Sequence, residues 1–235
     1  MKPVPDTGPI DDSAAVYSPL TLALYDAWVL QISNRFAWRC PTRTALLPFY
    51  ERHLGRKHLD VGVGTGYYLA HCKGANRSSI TLMDINVASL QAASRRIRAL
   101  KPQTIVHNVF TPWETTERYD SISLFYLMHC LSGSVDEKAQ VFSHLKACLA
   151  PGGTLYGATI LGQGVAHNRF GRKLMDVYNA KGIFGNRNDS AEAFIRVLNG
   201  LFGSVQAHMV GCVLLFAAQD APRPCANASE SSAGV

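Results

Sequence analysis

The sequence lacks several of the features that mark familiar protein classes. It holds six cysteines, Cys40, Cys72, Cys130, Cys148, Cys212 and Cys225, and no two of them stand as CxxC. That spacing is too wide for a zinc site and gives no disulfide framework, so buried or incidental thiols in a reducing compartment, the cytoplasm, are expected. No run reaches the roughly 18 unbroken apolar residues of a membrane span. The greasiest early segment, Leu20 to Ile32, carries Asp26. An apolar stretch behind a basic start is missing from MKPVPDTGPIDD, so no secretory leader is expected. Internal repeats are also missing. Charged residues make up only 17% against 47% hydrophobic, which excludes a disordered chain. Acidic residues are outnumbered 17 to 23, but the basic ones are dispersed. Their densest cluster, Arg95, Arg96, Arg98 and Lys101, reads as a solvated helix face rather than a nucleic-acid surface.

What is present suits one domain over 15–219, between a Pro- and Asp-rich tail at 1–14 and a small, polar tail at 220–235; both tails are expected to be disordered. Leu22, Tyr25, Val29 and Ile32 form a helical stripe, and a second helix opens after Cys40 and runs to about His53, so 15–55 reads as a helical cap. From Lys57 onward, short apolar runs alternate with helices. Strands are expected at 58–63, Ser79–Met83, Thr104–His107, Ser121–Tyr126 and Thr154–Ile160. Helices are expected over Asn86–Leu100, with Val87, Leu90, Ala93, Ile97 and Leu100 inward, and from an Asp136 cap through Cys148. Such alternation means a parallel sheet covered on both faces, with ligands beyond the carboxyl ends of its strands. A helix over 189–202, capped by Asp189 or Ser190, then precedes an antiparallel pair, Val205–Val210 and Cys212–Ala217. The segment 161–188 is too long for a simple connection and reads as a lid.

The chemistry lies in Asp60-Val61-Gly62-Val63-Gly64-Thr65-Gly66-Tyr67, where a strand runs into three glycines at every second position and a helix leaves. Glycines permit sharp turns and let a ligand approach main-chain amides without Cβ atoms in the way. The dinucleotide fingerprint GxGxxG places its third glycine three after the second. Here it stands two after, which argues against a nicotinamide or flavin enzyme, and no GK[ST] makes a Walker loop.

This motif resembles motif I of class I S-adenosylmethionine-dependent methyltransferases, and the likeness extends to Asp84 and to the Leu149-x-Pro-Gly-Gly turn. The flanks look like stand-alone small-molecule methyltransferases of microbial metabolism. The resemblance implies a doubly wound, mostly parallel seven-stranded Rossmann-like sheet with a C-terminal antiparallel strand pair and an N-terminal helical cap. It implies S-adenosyl-L-methionine as cofactor, with Asp60, Gly62, Gly64 and Gly66 at the methionine part and Asp84 on the ribose hydroxyls. Ile85 would pack the adenine. Asn108 and Val109 stand where the family usually has an Asp for the adenine amino group.

Methyl transfer from a sulfonium needs alignment and exclusion of water more than it needs a base. His129, beside the expected transfer site, is the candidate base, with packing behind its loop as the bland alternative. Tyr126 is expected to line the cofactor pocket. Tyr17, Tyr25 and Arg39 are candidates for the methionine carboxylate, and Trp28, Arg169 and Tyr178 for the substrate, each also readable as core or solvated surface. No metal is implied. The expected activity is transfer to oxygen or nitrogen of a small organic molecule, with nucleic acid and membrane not expected as partners. An RNA methyltransferase and a cofactor-binding, non-methylating protein stay open as alternatives.

Overall fold

The computed structural model describes residues 26–220. Apolar runs within them build seven strands: β1 (Lys57–Val61), β2 (Ser79–Asp84), β3 (Gln103–Val106), β4 (Tyr119–Phe125), β5 (Leu149–Ile160), β6 (Ser204–Val210) and β7 (Val213–Gln219). They form one sheet in the order β3-β2-β1-β4-β5-β7-β6. Only β7 runs antiparallel to its neighbours. The chain winds outward from β1 to β3, returns to the other side of β1 at β4, and so leaves a crevice between the carboxyl ends of β1 and β4.

Helices cover both faces at the centre of the sheet, which is why β7 (Val213–Gln219) reads as a nearly continuous apolar run rather than an alternating one. On one face lie α1 (Asp26–Ala37), α2 (Leu47–His53), α3 (Tyr67–His71), α4 (Val87–Arg96) and α6 (Arg169–Ala180), with Trp38, Tyr50, Leu69, Leu90 and Met175 in their shared core. On the other lie α5 (Val135–Lys146) and α7 (Ala191–Leu201), packed through Phe142, Leu145, Phe194 and Leu198. Helix α1 is wound with wide turns, so that the Trp38 N–H reaches back five residues to the Ser33 carbonyl.

Two local expectations are corrected, and a third is decided between its alternatives. Ser134, not Asp136, caps α5: its hydroxyl accepts from the Glu137 N–H while the Glu137 carboxylate accepts from the Ser134 N–H. Ser-x-x-Glu is the capping-box signature, and Asp136 pairs instead with Arg196 at 2.8 Å. Helix α4 ends at Arg96, before a separate tight turn at Arg98–Leu100. Its first residue, Val87, is half exposed rather than inward. Of the two candidate caps for α7, Ser190 takes the position, because Asp189 is buried in an ion pair with Lys138.

That pair holds the segment after β5 in place. The Lys138 ammonium, fully buried on α5, donates to Asp189 Oδ1 and Oδ2 at 2.9 and 2.7 Å and to the Gly185 carbonyl at 3.0 Å. Asn186, also fully buried, donates to the Ile160 carbonyl at 2.9 Å. Both attachments tie 185–189 to the sheet and to α5. Removing one partner strands the other as a buried charge. Lys138→Met is therefore expected to lower the unfolding free energy by about 3–5 kcal/mol, and Lys138→Met with Asp189→Leu to recover most of it. Urea denaturation of both variants measures this, and an unshifted midpoint for Lys138→Met would contradict it.

Candidate active site

The site grows from the end of β1. Gly62, Gly64 and Gly66 all have left-handed backbone, with φ of 72°, 50° and 70°. Two of them are needed for different reasons. A Cβ on Gly66 would sit 3.1 Å from the Cα and Cβ of Ala93, so this glycine lets α3 start tight against α4. A Cβ on Gly64 would meet nothing within 4 Å, so this residue faces open space at the carboxyl edge of the sheet. The loop is held by the Gly62 N–H to the Met83 carbonyl at 2.9 Å. A second hold comes from Arg96, which donates to the Thr65 hydroxyl at 3.0 Å and covers the Tyr67 ring. Arg96 belongs to the cluster read from sequence as a solvated face. Its one-turn reach across to the glycine loop carries no signal in the sequence pattern.

Two acids flank the loop. Asp84, at the end of β2, faces the backbone N–H groups of Val63, Gly64, Ile85 and Asn86 and accepts from the last at 2.8 Å; burial nonetheless raises its pKa above the usual carboxylate range. Asp60 is buried on β1 and accepts from the Ser123 hydroxyl. Burial pushes its carboxyl up to about 7. Beyond β2, Ile85 and Val87 expose 58% and 50% of their surface side by side along the chain, an apolar ledge at the mouth of the crevice.

At the end of β4, Tyr126 takes a left-handed φ of 59° while its N–H donates to the Ala158 carbonyl at 2.8 Å. A non-glycine residue there carries strain of about 1–2 kcal/mol, and such strain concentrates at functional sites.

Comparison with known proteins places this geometry. A family profile described as "Methyltransferase domain" matches residues 59–155. The chain is 39% identical to the Physcion biosynthesis cluster O-methyltransferase of Aspergillus chevalieri over 217 residues, covering 92% of this chain and 98% of that one. It is 49% identical to an uncharacterized Escherichia coli protein, YbcY, over 80% of this chain and 97% of the relative. Among solved structures, a DhpI–S-adenosylhomocysteine complex superposes with a TM-score of 0.63 at 18% identity, over 93% of this chain and all of that one. The chain belongs to the class I S-adenosylmethionine-dependent methyltransferases.

The methyltransferase's own residues fit that cofactor. Open space at Gly64, a buried acid without a cationic partner among the described residues, and an exposed apolar ledge suit a ligand that is part cationic and part aromatic. Asn108 is exposed, with its side-chain oxygen already accepting from the Phe110 N–H at 3.0 Å. Val109 packs into the core beside it.

Several sequence candidates stand elsewhere. His129 is 2% exposed, wedged between Tyr126 and Phe184 at ring distances of 5.3 and 4.6 Å. Burial and then the nearby Lys138 lower its pKa to about 3. The imidazole is neutral and buried, and its Nδ1 accepts from the Ile160 N–H at 3.4 Å. Arg39 turns away from the crevice, because its guanidinium donates to the Ala166 carbonyl and to Cys212 Sγ. Tyr178 packs on Phe184 at 4.9 Å, and Arg169 is exposed in the first turn of α6. A cavity of about 410 Å³ in the 161–188 segment is lined by Val165, His167, Arg172, Met175 and Arg187 among others, and not by Arg169. Tyr17, Tyr25 and the side chain of Trp28 lie outside the described residues.

The two glycines separate structure from binding. Gly66→Ala is expected to lower the unfolding midpoint more than Gly64→Ala, because it adds a clash with Ala93 to the left-handed penalty of about 1–2 kcal/mol common to both. Gly64→Ala is expected to weaken S-adenosylmethionine binding more strongly at equal folded fraction. Calorimetric titration and thermal unfolding of the two variants check this; identical profiles would contradict the assignment of Gly64 to the ligand.

Proposed function

We propose that this methyltransferase transfers the methyl group of S-adenosylmethionine to a hydroxyl oxygen of a small, phenol-like metabolite. The observation that carries the reading is the near full-length likeness to a biosynthesis-cluster O-methyltransferase, joined to a transfer turn whose only imidazole is sealed. A phenol titrates near 10, as tyrosine does, and so sheds its proton more readily than an alcohol. The cofactor supplies a methyl group already carried on a good leaving group, so the protein's part is alignment and exclusion of water.

In this reading the glycine loop and Asp60 receive the methionine end, Asp84 accepts from the ribose hydroxyls, and Ile85 with Val87 packs the adenine. Tyr126 borders the transferring methyl, and neutral His129 keeps its ring in place. The segment 161–188 covers the acceptor side. Its cavity has the size of small-ligand pockets, about 300–1,000 Å³, and Arg172 there suits an acceptor bearing an acid group. A cytoplasmic location is supported by the free thiols of Cys40, Cys72, Cys130, Cys148 and Cys212. No described helix is long and apolar enough to cross a membrane.

Thermal unfolding with S-adenosylmethionine, S-adenosylhomocysteine and NAD tests the cofactor half. At a hundred times its Kd a ligand adds about 2.7 kcal/mol, a rise of roughly 5–10 °C for a domain of this size. The first two ligands are expected to give it and NAD to give none. A panel of phenols, with mass spectrometry for the methyl ether, tests the acceptor half. Products methylated only on nitrogen or carbon would overturn the hydroxyl reading.

A further inference from the structure

The polar cluster beneath the glycine loop is built without a positive charge. Asp60 on β1 accepts from the Ser123 hydroxyl of β4, and the Tyr50 hydroxyl of α2 also faces it. Tyr50 Oη lies 2.9 Å from His58 Nε2, His58 Nδ1 lies 2.8 Å from Ser121 Oγ, and Ser123 Oγ lies 3.2 Å from His58 Nε2. Tyr156 of β5 and Asp84 of β2 complete the surroundings, with Cys72 behind the two tyrosines. His58 is wholly buried and neutral, its pKa lowered by burial to about 3. Among the described residues, then, each group facing Asp60 is a neutral hydroxyl, a neutral imidazole, a thiol or another acid. A carboxylate in such a place lacks the compensation that buried charges need.

The same acid stands two residues before Gly62, on the strand that delivers the chain to the cofactor. S-adenosylmethionine carries a sulfonium and an ammonium group, the charges the cluster lacks. We propose that Asp60 holds a proton in the ligand-free protein just below neutral pH and surrenders it to solvent when the cationic cofactor binds. The exchange balances: a neutral carboxylic acid and a cationic ligand give a carboxylate–cation pair and one proton in the buffer. The position of the Asp60 titration near 7, set by burial against the opposing Ser123 and Tyr50 hydroxyl bonds and with a smaller upward push from Asp84, brings this exchange into the physiological range. Cofactor affinity is therefore a function of pH, flat above the titration and falling below it by about tenfold per pH unit. The inference rests on the glycine loop being the cofactor site.

Isothermal titration of the full chain with S-adenosylmethionine at about pH 6.3, in phosphate and in imidazole buffer, counts the protons released. At that pH the ligand's own amino group, like other α-amino groups titrating at about 7.7–8.0, stays charged and adds nothing. The expected result is a binding heat that depends on buffer and corresponds to release of close to one proton. Kd is expected to rise about tenfold from pH 6.5 to 5.5, and Asp60→Asn to lose both effects. Heats independent of buffer, with Kd constant over pH 5.5–8, would overturn the proposal. If Asp60→Asn fails to fold or to bind, the proton count of the unaltered protein still decides. Absence of any binding at pH 8 would instead sink the cofactor-site reading on which the proposal stands.

Discussion

The chain must leave β1, reverse at the centre of the sheet and enter α3 within five residues. Left-handed backbone at three alternate positions is the solution, and the rest of the site is arranged around it. Met83 holds the first glycine, Ala93 sits against the last, and Arg96 reaches across from α4 to fasten Thr65 between them. Asp84 caps the arrangement by turning its carboxylate toward the loop's own N–H groups. A ligand that takes Asp84 for its hydroxyls competes with those amides, so the acid is oriented before anything binds.

The segment after β5 follows a different logic. Between β5 and α7 lies a long segment that sequence alone suggests is a loose cover. Its far end is fixed by a buried ammonium, a buried amide and a backbone bond from Gly185 to the His129 carbonyl. Phe184, carried by this segment, packs on Trp38, His129 and Tyr178. The far end of this segment and the turn after β4 are thus one packed unit.

Most of the fold was legible because it is written locally. Strands and helices alternate at readable spacing, and the DxGxGxG run with Asp84 at the next strand end names both fold and cofactor. Contacts between residues far apart in sequence were not legible. Nothing in the order of residues says that Lys138 meets Asp189, that Arg96 meets Thr65, or that Arg39 spends its guanidinium on Ala166 and Cys212. His129 shows the same limit from the other side: its position beside the transfer turn was readable, but the rings that bury it come from distant segments. The Asp136 misreading was avoidable, because Ser134-x-x-Glu137 is itself a local signature.

The cluster under β1 and the sealed His129 also shape how the fold answers to acid. His58 and His129 bind protons at about 3 when folded and near 6.5 when unfolded, so the stability they contribute is present above pH 6.5 and lost as pH falls. Asp60 works in the opposite sense, since its folded pKa of about 7 exceeds the unfolded 3.8; its contribution is present at low pH and lost as pH rises toward 7. Between about pH 4 and 6.5 these three groups together bind more protons in the unfolded chain than in the folded one, so their joint contribution falls as pH falls. The carboxyl thus buffers the fold against the two imidazoles it lies among. In the proposed exchange, a bound cation that displaces this proton removes that protection, and the loss of stability with falling pH steepens. The cofactor-loaded enzyme, though the more stable form near neutrality, is then the form whose stability acid erodes faster.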